Sequence, residues 1–264
     1  MPYETLIYET TPDHVATITI NRPQALNAFT LQMRREFDEV WQRIRDDDDV
    51  HAVVLRAAEG RAFSTGADVK TALHENIMDA ENLWNQTDPG DSLGPRSNRV
   101  WKPVVTAVHG LCCGGAFYWL NESDIIICSE DAQFFDPHVS YGMVCAVEPI
   151  GMSYRLPLQE VLRIALLGND ERISAQTALR IGLVSEVVSL ANLWTRAHSL
   201  AAKIAAKPPV AVQGTVRAIW ESLDMPRKEA LNHGLRYCLV GNPVAQAQLD
   251  VESLRKQTKQ FDIR

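Results

Sequence analysis

The chain has no CxxC pair, no GxGxxG, no glycine loop leading into Gly-Lys-Ser/Thr, and no apolar run long enough to cross a bilayer. Each absence removes a class of function. The five cysteines (Cys112, Cys113, Cys128, Cys145 and Cys238) are odd in number and irregularly spaced, which fits buried thiols in a reducing compartment better than a disulfide framework. The missing glycine fingerprints exclude the common dinucleotide and phosphate-loop sites. The longest uncharged run, Pro103 to Asn121, is broken by His109, Gly110, Gly114 and Gly115, whereas a membrane span needs about 20 apolar residues. No basic segment followed by an apolar one opens the N-terminus MPYETLIYET, so no secretory signal is read and a cytoplasmic location is expected. Positive charge is the scarcer sign, with 26 Lys and Arg against 33 Asp and Glu and a net charge of -7. Neither a nucleic acid nor a membrane is therefore the expected partner, although a few local cations could still hold one small anion. The acidic run Asp46 to Asp49 lacks EF-hand spacing and its glycine, and no metal is expected there or elsewhere.

The 264 residues, 46% of them hydrophobic, suffice for one large core, with or without a small extension. Val15 to Ile20 alternates as a strand should. Thr30 is placed to cap a helix whose Met33, Phe37, Val40, Trp41 and Ile44 form one apolar stripe. Ala52 to Leu55, Pro103 to Val108 and Ile125 to Cys128 read as buried strands, each followed by a turn. This alternation predicts an α/β fold with a mostly parallel sheet. From Ser174 the pattern is helical: Ala175 to Ile181, Leu190 to Lys207, Pro209 to Leu223, Pro226 to Val240, and a last helix opened by Asn242-Pro243. The division is drawn as residues 1–190 for the core and 191–264 for a helical region. The polar stretch Asp79 to Arg96 is the candidate lid.

Two glycine-bearing turns follow buried strands: Ala62-Phe-Ser-Thr-Gly-Ala-Asp-Val-Lys70 and His109-Gly-Leu-Cys-Cys-Gly-Gly-Ala-Phe117. Helix starts leave N–H groups unpaired, and such donors suit an anionic oxygen. A third segment, residues 134–157, is nearly all apolar or small. It nevertheless carries His138 and, ten residues on, Glu148, the one formal charge between that histidine and Arg155.

Taken together, these segments resemble the crotonase (enoyl-CoA hydratase/isomerase) superfamily. The likeness is carried in order by Asn21-Arg-Pro-Gln-Ala-Leu-Asn-Ala28, Phe63 to Lys70, Ala107 to Gly115, Ser123-Asp-Ile, Gln133-Phe-Phe-Asp-Pro137 and Ala178-Leu-Arg-Ile-Gly-Leu-Val184. The resemblance implies a core of spiral ββα turns with a C-terminal helical region that builds a trimer or a dimer of trimers. It implies an acyl-CoA substrate and no separate cofactor, coenzyme A being part of the thioester. It assigns an oxyanion hole to the backbone N–H groups of Ala67 and Gly115. Ala25, Leu26, Ala28, Ser64, Gly66, Asp68, Val69, Lys70 and Gly114 then stand at substrate-contacting positions.

Hydratases of this family hold water between two glutamates. Tyr118 stands at the first of those positions and His138 at the second, which removes the two-glutamate route. Imidazole titrates near neutrality and needs a partner to fix its tautomer; Glu148 is the candidate in sequence, giving an expected His138–Glu148 dyad assisted by Tyr118. A similar His-then-acid spacing occurs in crotonase-fold enzymes that hydrolyse β-diketones. Hydration or isomerisation, C–C or thioester hydrolysis, decarboxylation, and acyl-CoA binding without chemistry all remain open at this point.

Overall fold

The computed structural model describes residues 2–72, 84, 87–249 and 263, and the chain forms two compact units, Met1–Ala206 and Lys207–Arg264. The first unit begins with strands β1 (Leu6–Thr10) and β2 (Val15–Ile20) and helix α1 (Leu31–Asp46). It continues through β3 (Ala52–Ala57), β4 (Ala62–Ser64), short helices α2 (Val69–Ala72) and α3 (Gly90–Leu93), β5 (Val104–Val108) and β6 (Leu111–Cys113). Then come α4 (Phe117–Glu122), β7 (Ile125–Ser129), β8 (Gln133–Phe135), α5 (Val147–Met152), α6 (Leu158–Leu167), β9 (Ile173–Ser174), α7 (Ala175–Ile181), β10 (Glu186–Val188) and α8 (Leu190–Ala205).

A six-stranded sheet has the order β1-β2-β3-β5-β7-β10, parallel except for the β1–β2 pair, and a four-stranded sheet has the order β4-β6-β8-β9. The pairs β3/β4, β5/β6 and β7/β8 each step from the first sheet to the second within a few residues. Each step is one turn of a ββα spiral, the core that the family resemblance implies.

Local chemistry explains these elements. The Thr30 hydroxyl accepts from the Met33 amide at 3.2 Å, so α1 begins where its cap stands. Its stripe of Met33, Phe37, Val40, Trp41 and Ile44 is fully buried, which at about 1.5–3 kcal/mol per large side chain anchors the helix to the sheet. Behind its C-terminus Lys102, 3% exposed, donates to the carbonyls of Ile44, at 2.6 Å, and Asp47. Burial pushes the Lys102 ammonium down and Asp47, Asp48 and Asp46 push it back up, so the acidic run is countercharge for a buried cation. In α8, Leu193, Ala197, Ala201 and Ala205 recur every fourth residue and pack with Val54, Val105 and Ile127 of the large sheet. That packing makes α8 part of the first unit, so the boundary falls after Ala206 and not at residue 190.

The second unit contains α9 (Pro209–Ser222) and α10 (Arg227–Ala247). Asn242-Pro243 does not open a new helix: α10 runs through Pro243. The stretch around it is solvent-facing, Leu239 and Val244 being 68% and 51% exposed, so water can serve the carbonyl that the proline leaves unpaired. Within this unit the Glu221 carboxylate gathers Arg217 Nε at 2.7 Å, His233 Nε2 at 2.6 Å and Tyr237 Oη at 2.6 Å. Within the candidate lid, Asp79 to Arg96, residues 79–83, 85 and 86 lie outside the described residues. Its described end is anchored, with Leu93 buried and its carbonyl accepting from Trp41 Nε1 at 2.9 Å.

Candidate active site

Strands β4 and β6 are parallel neighbours, so the turns that leave them emerge side by side. Gly66 holds φ +79°, and a Cβ there would stand 2.7 Å from the Gly115 amide nitrogen and 3.1 Å from the Cys113 carbonyl oxygen. Only glycine tolerates both the dihedral and the approach. Phe29 donates to the Gly66 carbonyl at 2.8 Å and accepts from the Asp68 amide at 2.9 Å. As in any parallel bridge, the intervening Ala67 turns its own N–H away from Phe29. Gly115 lies in the 3-10 turn Gly114–Ala116 that feeds α4, so its N–H belongs to the first turn and lacks an intrahelical acceptor. The Phe29 ring covers its other face, 2.6 Å from where a Cβ would sit. The two glycine turns thus abut at Gly66 and Gly115.

A strap over residues 22–30 locks these turns. Leu26 and Asn27 are left-handed, with φ 53° and 54°. The Leu26 carbonyl accepts from the Thr65 amide at 3.2 Å, and Asn27 Nδ2 donates to the Ala62 carbonyl at 2.9 Å. Ser64 is fully buried. Its hydroxyl donates to the Asn27 carbonyl at 2.8 Å and accepts from the Gly66 amide at 3.2 Å. The Ser64 side chain is therefore occupied in bracing the turn. Asp68 pairs with Arg22 Nη2 at 3.0 Å and accepts from the Lys70 amide at 3.2 Å, so it too braces the turn. Ala28 is buried, Ala25 and Leu26 are partly exposed, and Val69 and Lys70 are exposed.

Strand β8 pairs with β6, which brings Pro137-His138 beside the second turn. A Cβ on Gly114 would lie 3.6 Å from Pro137 Cδ and 3.8 Å from His138 Cε1. The imidazole stands between two carboxylates, and Glu148, the partner expected from sequence, is the more distant of them. Asp136, fully buried, is its direct partner: Oδ1 accepts from Nδ1 at 2.6 Å and from the His138 amide at 3.1 Å. Glu148 Oε1 stands 3.8 Å from Nε2, on the other side of the ring. The missed signal was Asp136-Pro137-His138, since an aspartate commonly reaches the backbone two residues on.

Charge follows geometry. The hydrogen bond to Asp136 raises the His138 pKa above its ordinary value, against the opposing effect of burial. Burial works against ionisation of Asp136, but the hydrogen bonds from His138 outweigh it and hold that carboxyl below its usual range. Burial raises the pKa of Glu148. With Nδ1 donating to a carboxylate, Nε2 of the neutral ring is the free base and faces Glu148.

Tyr118 projects from α4 beside the same place. Its hydroxyl donates to Asp88 Oδ2 at 3.1 Å, and a Cβ on Gly90 would stand 2.6 Å from its ring. Burial, then the charges of Glu148 and Asp88, push the phenol well above its ordinary pKa, so it stays a donor. One turn further along, Asn121 Nδ2 donates to the Glu148 carbonyl at 2.9 Å, fixing α5 against α4. Asp88 was not singled out from sequence, because it lies in the polar stretch read as a lid. Tyr141, by contrast, is 70% exposed.

The model of the enoyl-CoA hydratase/isomerase family matches residues 10–253. An (E)-benzylidenesuccinyl-CoA hydratase from Thauera aromatica is 33% identical over 85% of this chain and 84% of its own length. A short-chain-enoyl-CoA hydratase from Clostridium acetobutylicum is 35% identical over 78% and 77%. A crystal structure of an enoyl-CoA hydratase/isomerase from Mycobacterium paratuberculosis superposes with a TM-score of 0.86 at 36% identity, over 99% of this chain and all of that one. With the ββα spiral and the two abutting glycine turns already in place, these likenesses lead to one conclusion: the chain belongs to the enoyl-CoA hydratase/isomerase family.

Proposed function

We propose that the protein processes acyl-CoA thioesters by a histidine-based proton transfer. The observation that carries this reading is the 2.7 Å approach of the Gly66 Cβ position to the Gly115 amide, with the His138 ring beside Gly114. The amides of Ala67 and Gly115 would receive the thioester oxygen and the negative charge that forms on it; one such donor is worth about 2.7–4 kcal/mol in the transition state. His138, its tautomer set by Asp136, takes a proton at Nε2. Glu148 keeps its proton to higher pH than an exposed glutamate, so the pair can both remove and return one. Tyr118, whose one hydroxyl proton goes to Asp88 Oδ2, would assist substrate or water by redirecting that donor from Asp88.

Addition or removal of water next to the thioester is the reaction that the relatives' names support, run here by an imidazole and one glutamate where hydratases use two glutamates. A second reading is hydrolysis of a thioester or C–C bond, favoured by the buried Asp136 behind His138, an arrangement that makes water a nucleophile. A panel of enoyl-, 3-oxo- and malonyl-CoA esters, read by mass, separates water gain, cleavage and loss of carbon dioxide. Turnover is expected with enoyl esters and is expected to fall about 10²–10⁴-fold in His138→Ala with CoA-ester binding kept; an unchanged rate in that variant would end the mechanism. The exposed Leu231, Leu235 and Leu239 of α10 support a homotrimer or dimer of trimers, checked by light scattering.

A further inference from the structure

Behind the imidazole lies a group of side chains that proton transfer does not use in full. Asp136, His138 and Cys145 each offer a donor atom, and these atoms all lie within 4.8 Å of one another. Asp136 is fully buried, and its Oδ1 serves His138. Its second oxygen, Oδ2, is buried and has no donor within hydrogen-bond distance among the described residues, while the Cys145 thiol bears on the same carboxylate. A buried carboxylate oxygen without a partner costs free energy unless something cationic or protic reaches it. Cys145 is a free, partly exposed thiol on the segment that joins His138 to Glu148, so a path from solvent exists.

We propose that Asp136, Cys145 and one ring nitrogen of His138 form a binding site for a thiophilic divalent cation of the Zn2+ class. The donor set selects the metal: one thiolate, one imidazole and one carboxylate suit Zn2+ and disfavour Mg2+ or Ca2+, which take oxygen ligands. Tetrahedral zinc with bonds of about 2.0–2.3 Å spaces its ligands by roughly 3.3–3.8 Å. The group must therefore contract by about an ångström at its widest, which rotation of the Cys145 side chain can supply. Binding would displace the thiol proton to solvent and, through Nδ1, would also shift that ring proton to Nε2; either ring nitrogen so used draws the imidazole out of proton transfer. The site is thus inhibitory, a zinc-sensitive brake on the histidine. Three protein ligands leave a fourth position open to water. Tyr118 and Glu148 stay outside the set.

The test uses the full-length protein in a Cys238→Ser background, because Cys238 is an exposed thiol that would bind metal by itself. After treatment with EDTA, Zn2+ is titrated in competition with a chromogenic chelator. One equivalent is expected to bind, and Cys145→Ser and Asp136→Asn are each expected to weaken binding at least ~10-fold. Co2+ in place of Zn2+ is expected to show thiolate-to-cobalt charge-transfer absorption that Cys145→Ser abolishes. Metal-free Cys145→Ser is expected to keep its turnover and to lose zinc inhibition. The proposal falls if no stoichiometric uptake occurs, or if uptake is the same in Cys145→Ser. Since binding is read by metal competition and by absorption, it stands or falls separately from the acyl-CoA reading: a protein inert toward every thioester could still hold zinc, and an active one could fail to.

Discussion

Asp136 Oδ1 lies 2.6 Å from Nδ1 of His138, and the whole aspartate is shielded from water. A charge-assisted hydrogen bond of this length both fixes the ring and favours its protonated form. The pair is charged in the folded state over a wider pH range than either group alone. On the histidine side, its stabilising contribution is complete below the unfolded imidazole value of about 6.5 and is lost as pH rises through the higher folded value. On the aspartate side, it is present above the unfolded value of about 3.9 and is lost as pH falls through the lower folded value.

The catalytic consequence has the opposite sign from the stabilising one. A base must be neutral, so in metal-free protein kcat/KM is expected to fall on the acidic side with a limb above pH 6.5. Asp136→Asn removes the charge that raises this value, so the limb is expected to move to lower pH while the maximum rate drops. His138→Ala is expected to cost about 10²–10⁴-fold. A limb unmoved in Asp136→Asn would show that another group titrates there.

Gly66 and Gly182 share a backbone problem but not a spatial one. Both are left-handed, with φ +79° and +88°, yet a Cβ on Gly66 meets the Gly115 amide at 2.7 Å while one on Gly182 meets nothing within 4 Å. An alanine at either site is expected to cost about 1–2 kcal/mol for the dihedral alone. Gly66→Ala must also push the two turns apart, so its thermal stability is expected to fall further and kcat by about 10²–10³-fold. Gly182→Ala is expected to melt earlier with kcat intact.

Where sequence and structure agree, the signal was local and repetitive. The α1 stripe, its Thr30 cap and the alternation in β2 depend on neighbours a few residues away, and they appear as read. A glycine turn alone marks only a tight bend, and the two became legible as a site through the ordered family resemblance; what the sequence could not supply was their 2.7 Å approach, which depends on the parallel pairing of β4 with β6. Asp136 was overlooked for the reverse reason. An aspartate before proline reads as an ordinary turn, and its burial is decided by β8 pairing with β6. The bonds of the Ser64 hydroxyl to Asn27 and Gly66 were equally hidden, because they need the 22–30 strap packed against this turn. The end of the first unit was misplaced because α8 is amphipathic by alanine spacing, a weaker mark than a leucine stripe.

Tyr118 occupies the position of a family glutamate, but its surroundings would not welcome that residue back. Asp88 Oδ2 already accepts from its hydroxyl, and the Glu148 charge bears on the same phenol. Tyr118→Glu would set a further carboxylate between two others. Its pKa would be raised, so the variant is expected to be destabilised most at pH 8, where the new carboxylate is charged, and to recover toward pH 5. Melting curves at the two pH values check this. Restored two-glutamate hydration with undiminished stability at pH 8 would contradict it.

The second unit carries its own acid sensitivity. Burial opposes the charge on Glu221, but hydrogen bonds from Tyr237, Arg217 and His233 prevail and lower its pKa from 4.5 to about 2. A carboxylate so depressed stabilises the folded state above pH 4.5, and that contribution is lost as pH falls from 4.5 to about 2. Glu221→Gln removes it at every pH. The variant is expected to be less stable at pH 7, with the difference from the parent narrowing through that window because the parent carboxylate becomes protonated there. Helical circular dichroism during an acid titration measures the comparison. Parallel curves for parent and variant from pH 5 to pH 2 would mean that the three donors do not depend on the charge of Glu221.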